Sequence, residues 1–81
     1  MRIRILFFAQ ARDRAGHAER QIELPEGSRV ADLKQGMRAD HPALEPLWAH
    51  LAIAVDGRLA EESVALRDGA EVALLPPVSG G

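Results

Sequence analysis

The sequence predicts an α+β fold, a mixed sheet crossed on one face by one main helix. Three observations carry this expectation. Two segments, one opening the chain and one near its end, become apolar on both faces at the two-residue period of a strand, as central strands do. Between them, Val30, Leu33 and Met37 repeat at helical spacing. Turn chemistry at Pro25-Glu26-Gly27, Asp56-Gly57 and Asp68-Gly69 cuts the remainder into short pieces. The 81 residues leave room for one domain. Hydrophobic residues make up 47%, enough for a real core. Phe7, Phe8 and Trp48 are the whole aromatic set, so that core must be aliphatic.

Residues 2–9 form the first strand. Ile3, Ile5 and Phe7 share one face, while Leu6 and Phe8 make the other face apolar towards the end. Residues 10–16 read as a short helical turn stopped by a glycine C-cap at Gly16. Residues 17–24 alternate again, with Ala18, Arg20, Ile22 and Leu24 on one face and His17, Glu19, Gln21 and Glu23 on the other. So polar an outer face suits an edge strand. Ser28 is placed to cap the main helix, over about 29–39, and Asp32 suits the positive end of its dipole. Gly36 weakens its interior by about 1 kcal/mol relative to alanine. His41-Pro42 ends it, because the residue before proline is pushed out of the α region. Leu44, Leu47, Trp48 and Leu51 then fit a short helix or 3₁₀ turn. Ile53 and Val55 lead into Asp56-Gly57, a strong hairpin signal, and Arg58-Leu59-Ala60 returns. Val64 and Leu66 bring the chain to Asp68-Gly69. The last strand places Val72 and Leu74 on one face, Ala73 and Leu75 on the other, and Pro76-Pro77 stops it. An opening hairpin, a crossing helix and a last strand pairing centrally with the first make the β-grasp, or ubiquitin-like, arrangement. Its domain is expected over 1–75, with 76–81 as a flexible Gly-Gly tail.

Composition excludes several functions. Twelve acids against ten bases give a net charge of −2, without the basic surplus that neutralises phosphates, so no nucleic-acid partner is expected. There is no cysteine, hence no disulfide, thiolate zinc site or cysteine nucleophile. The apolar run of MRIRILFFAQ is too short, and too soon followed by Arg12, Asp13 and Arg14, for a signal peptide. No stretch approaches a membrane span. The expected location is the cytoplasm, with no membrane partner.

Side-chain chemistry is sparse. His17, His41 and His50 lie in three different segments and offer no metal-binding spacing, so no metal site is expected. Glu61-Glu62 are adjacent, and neighbours in an extended chain point to opposite faces, which makes a poor acid/base couple and suits a solvated turn. Ser63 and Ser79 have no nearby histidine base in sequence. Trp48 at helical spacing suits the core.

The C-terminal end is the informative feature. Two prolines stiffen the exit from the last strand, Val78 is the one apolar anchor left, and Gly80-Gly81 close the sequence. Glycine lacks a β-carbon, so a carboxylate on such a tail enters a narrow channel. Fully extended, Pro76 to Gly81 spans roughly 20 Å. Read as a bare terminus, Gly-Gly signals little more than fraying. On a β-grasp domain the tail projects from the central strand, and the reaction centre becomes the α-carboxyl of Gly81.

At this point the chain resembles the small subunit of molybdopterin synthase, a ubiquitin-like sulfur carrier. The similarity rests on Ile5-Leu6-Phe7-Phe8-Ala9-Gln10-Ala11-Arg12 and on Asp68-Gly69-Ala70-Glu71-Val72-Ala73 running into Leu74-Leu75-Pro76-Pro77-Val78-Ser79-Gly80-Gly81. The family often has aromatics just before the prolines, where this chain has Leu74-Leu75. Residues 25–51 share only the pattern. The resemblance implies that an activating enzyme adenylates Gly81 with ATP and that a sulfur donor makes the thiocarboxylate. The tail then enters the large subunit of a heterotetramer, and two sulfur transfers to a pterin precursor build the molybdopterin dithiolene. No cofactor is bound by this chain itself, and catalytic side chains lie mainly on the large subunit. Phe8, Leu75, Pro76, Pro77, Val78, Ser79 and Gly80 are the expected partner contacts. The alternatives are a sulfur carrier for thiamine or another pathway, a ubiquitin-like modifier of protein lysines, and an inert binding module with a frayed end.

Overall fold

A computed structural model describes residues 1–77. Its elements run β1 (Arg2–Phe7), α1 (Ala9–Ala15), β2 (Glu19–Glu23), α2 (Val30–Asp40), a 3₁₀ segment (Pro42–His50), β3 (Ala52–Val55), β4 (Arg58–Leu59) and β5 (Glu71–Leu75). The five strands make one sheet in the order β2-β1-β5-β3-β4. The two segments read as apolar on both faces, β1 and β5, are its parallel neighbours, with Arg4 opposite Glu71 and Phe7 opposite Leu74. Every other pairing is antiparallel. β2 is an edge strand, as its polar face requires.

One face of the sheet carries the core. Ile3, Ile5 and Phe7 of β1, Val72 and Leu74 of β5 and Ile53 of β3 pack against Val30, Leu33 and Met37 of α2. Leu44, Leu47 and Trp48 of the 3₁₀ segment close the same cluster. Aliphatic burial is the main favourable term here, each fully buried side chain giving about 1.5–3 kcal/mol. The arrangement is the expected β-grasp.

Several boundaries differ from the sequence reading by one or two residues. The first strand ends at Phe7 rather than at residue 9. The Phe8 carbonyl accepts the amides of Ala11 and Arg12 at 2.9 and 3.3 Å, and Ala9 turns into the left-handed region at φ 48°, so α1 begins there. α1 stops as expected at Gly16, whose φ of 83° lets its amide reach the Arg12 carbonyl. The second strand covers Glu19–Glu23 rather than 17–24, because His17 is drawn out of the ladder towards the helices.

Ser28 does not cap α2. Its hydroxyl donates to the Pro25 carbonyl at 2.8 Å and closes the preceding turn. Arg29 takes the cap position, and the Asp32 carboxylate accepts the Arg29 amide at 2.8 Å. The next amides, of Val30 and Ala31, donate to the carbonyls of Val64 and Glu62, so a neighbouring segment does the rest of the capping. The β3–β4 turn is the two-residue form that Asp56-Gly57 foretells, both residues at positive φ (50° and 84°). The Asp56 carboxylate also accepts the Glu71 amide at 2.9 Å and fixes that hairpin to β5.

Candidate functional site

β1 and β5 run parallel, so both end at the same rim of the sheet, and the chain leaves β5 there through Pro76 and Pro77. Phe7 points into the core. Phe8 follows in extended backbone (φ −116°, ψ 151°), so its ring falls on the opposite face, and it is 45% exposed. The same alternation turns Leu74 inward and leaves Leu75 half-buried on the open face. Phe8 and Leu75 thus stand on one face at the root of the tail, as expected from sequence. Pro76 is half-buried and Pro77 exposed. The tail residues Val78, Ser79, Gly80 and Gly81 lie outside the described residues.

The open face is apolar beyond that pair. Leu6, Ala73, Ala52 and Ala54 share it by register, and β4 adds Leu59, opposite Ala54 and 75% exposed. Sequence reasoning missed Leu59 because a two-residue return strand does not reveal which face its side chain takes. Across the sheet the same face turns polar. Arg4 pairs there with Glu19 on β2 and with Glu71 on β5 (3.0 Å), and the Glu19 hydrogen bond above all, with the charges of both carboxylates, holds the guanidinium above its ordinary pKa. An apolar field at the tail side and a charged field opposite give a docking partner both area and register.

Glu62 and Trp48 fall where their chemistry suggested. Glu62 sits in a solvated turn and accepts from Lys34 at 2.7 Å, which holds its carboxyl below the usual range. Trp48 is buried in the core. Among the described residues, no group of three or more His, Cys, Asp or Glu is placed to hold a metal. No described helix is long and apolar enough to cross a membrane. The histidines add a contact that their spacing in sequence does not show. His17 and His41, 24 residues apart, meet with their Nε2 atoms 3.2 Å from each other, while His50 is exposed at the end of the 3₁₀ segment.

A mixed sheet crossed by one helix, with an open apolar face at the exit of its central strand, defines a ubiquitin-like β-grasp protein. The chain belongs to the ThiS family, whose model matches residues 5–81. It is 39% identical to the molybdopterin synthase sulfur carrier subunit of Chlamydomonas reinhardtii, with 100% of both chains covered. A solved structure titled as a putative molybdopterin converting factor, subunit 1, from Pyrococcus furiosus matches at TM-score 0.88 and 35% identity, covering 96% of this chain and 99% of that one. SAMP1 from Haloferax volcanii matches at TM-score 0.90 and 28% identity, with 100% of both chains covered.

Proposed function

We propose that this chain is the sulfur carrier subunit of a molybdopterin synthase, with residues 76–81 as its delivery tail and the Gly81 carboxyl as its reaction centre. The observation that supports it most is the coincidence of two features at one rim of the sheet. The apolar face, with Phe8 and Leu75 at the rim and Leu59 further across it on β4, adjoins the point where the chain leaves β5 towards Pro-Pro-Val-Ser-Gly-Gly. Full-length likeness to a relative bearing that name agrees with it.

In this reading an activating enzyme in the cytoplasm joins the Gly81 carboxylate to AMP from ATP, releasing pyrophosphate. A sulfur donor displaces AMP and leaves a thiocarboxylate. The open sheet face then docks on the large subunit, Val78 anchors the tail, and the slim glycines carry the sulfur to the pterin precursor. The chain delivers sulfur, and the large subunit supplies the catalytic side chains.

The test is a mass measurement after incubation with an activating enzyme, ATP and a sulfur source. The C-terminal peptide should gain the difference between one sulfur and one oxygen. Molybdopterin synthesis without that species would refute the mechanism. The likeness to SAMP1 favours a second reading, a protein modifier using the same activated carboxyl. Isolation of this chain in isopeptide linkage to lysines of other proteins would support that one.

A further inference from the structure

A second cluster lies on the helix side of the sheet, away from the docking face. His17 comes from the turn between α1 and β2, Arg20 from β2 and His41 from the end of α2. Arg20 pairs with Ile5 across the ladder, which turns its side chain to the core-facing side at the sheet edge. Its Nη1 stands 3.4 Å from His41 Nε2, and His17 Nε2 stands 3.2 Å from the same atom. Both rings pack on Phe7, with centroids at 4.9 Å for His17 and 5.6 Å for His41. His41 is 7% exposed, and its Nδ1 is buried without a hydrogen-bond partner among the described residues.

One arrangement of protons makes both contacts hydrogen bonds. A guanidinium has only donors, so His41 Nε2 must present its lone pair to Arg20. His17 must then donate through its own Nε2–H, and His41 carries its single proton on Nδ1. A second proton on His41 would sit on Nε2, facing two donors at once, on a ring only 7% exposed.

We propose that His17, Arg20 and His41 form a proton-sensitive latch, which in its neutral form pins the α1–β2 turn and the end of α2 onto Phe7 and which opens when His41 gains a proton. The influences on His41 are mixed in sign, with those against protonation the larger. Burial, the Arg20 cation and His17 oppose its protonation, in that order, and the Asp40 carboxylate at the end of α2 favours it more weakly. His41 is thereby held below its ordinary value of 6.5 in the folded chain. The unfolded chain takes up the proton first as pH falls, so the latch stabilises the fold above pH 6.5 and loses that stabilisation below it. What moves is the root of the docking face, because Phe8 follows Phe7 and the Phe7 amide donates to the Ala18 carbonyl, beside His17, at 2.8 Å. The latch operates whatever the chain carries on its tail.

The test follows the ring signals of His17 and His41 by NMR in the full chain between pH 8 and pH 4.5, with amide exchange at Phe7 recorded in parallel. His41 should titrate below 6.5, and Phe7 exchange should accelerate over the same range. Arg20→Gln, at an exposed position, should move the His41 midpoint upward, which the loss of a packing contact alone does not do. In denaturant unfolding, the folding constant of the wild-type chain should fall between pH 7 and 5.5 by up to about tenfold more than that of His41→Gln, the limit for one imidazole held neutral one unit below 6.5. A His41 midpoint at or above 6.5, or one that Arg20→Gln leaves in place, overturns the latch. If His41→Gln fails to fold, the Arg20→Gln titration still decides.

Discussion

Leu74 and Leu75 are neighbours in one strand with different tasks, and replacing each by alanine separates the fold from the docking face. Leu74 is fully buried between Phe7 and Ile53, its partners across the two ladders. Leu→Ala removes three carbon atoms from that site. At about 0.8 kcal/mol for each buried carbon, the transfer loss is about 2.4 kcal/mol. A rigid central position relaxes little, and the cavity raises the total to about 3–5 kcal/mol. A domain of this size has roughly 4–12 kcal/mol in all, so Leu74→Ala should be marginally folded. Leu75 is half-buried on the open face. Leu75→Ala leaves no closed cavity and should cost about 1 kcal/mol. Urea unfolding of both variants measures the difference. Affinity for a large subunit, by calorimetry, should reverse the order among folded variants, with Leu75→Ala the weaker binder. Equal stability losses at the two positions would refute the assignment of opposite faces.

Four further outcomes follow. Leu59→Arg should lower affinity for a large subunit by about tenfold or more while leaving the urea midpoint nearly unchanged, since the side chain is 75% exposed. Gly16→Ala should cost about 1 kcal/mol by unfolding, wholly from the left-handed backbone, because a β-carbon there meets nothing within 4 Å. Deleting Gly81 should abolish thiocarboxylate formation in the mass assay with the unfolding curve unchanged, and Val78→Ala should weaken the complex by about 1–2 kcal/mol if its side chain is buried there.

The central pair of strands was legible because apolar residues stand at every position, one set facing the core and the other the open apolar face, as in Leu6-Phe7-Phe8 and Val72-Ala73-Leu74-Leu75. The turns were legible because Gly16 and Asp56-Gly57 must adopt positive φ. Ser28 misled because serine serves a turn and a helix cap equally well, and only the position of the Pro25 carbonyl decides between them. Leu59 and the His17–His41 contact were hidden for one common reason. Both depend on which segments the completed sheet and helices bring together, and no local spacing encodes that. The tail was read from its residue types rather than from any shape they take.

The strand order has a consequence for how this chain could be handled chemically. Among the described residues β2 pairs only with β1, β4 only with β3, and β5 is the sole strand joining the two pairs. The Arg4–Glu71 contact closes 67 residues of separation, so this join is the most distant in sequence. One short peptide spanning β5 and the tail therefore contains both the splice of the sheet and the glycine assigned to chemistry. Such a peptide could be synthesised with a thiocarboxylate already in place and ligated to the preceding residues. The loaded carrier would then be made without any enzyme, and its donor strength could be varied atom by atom.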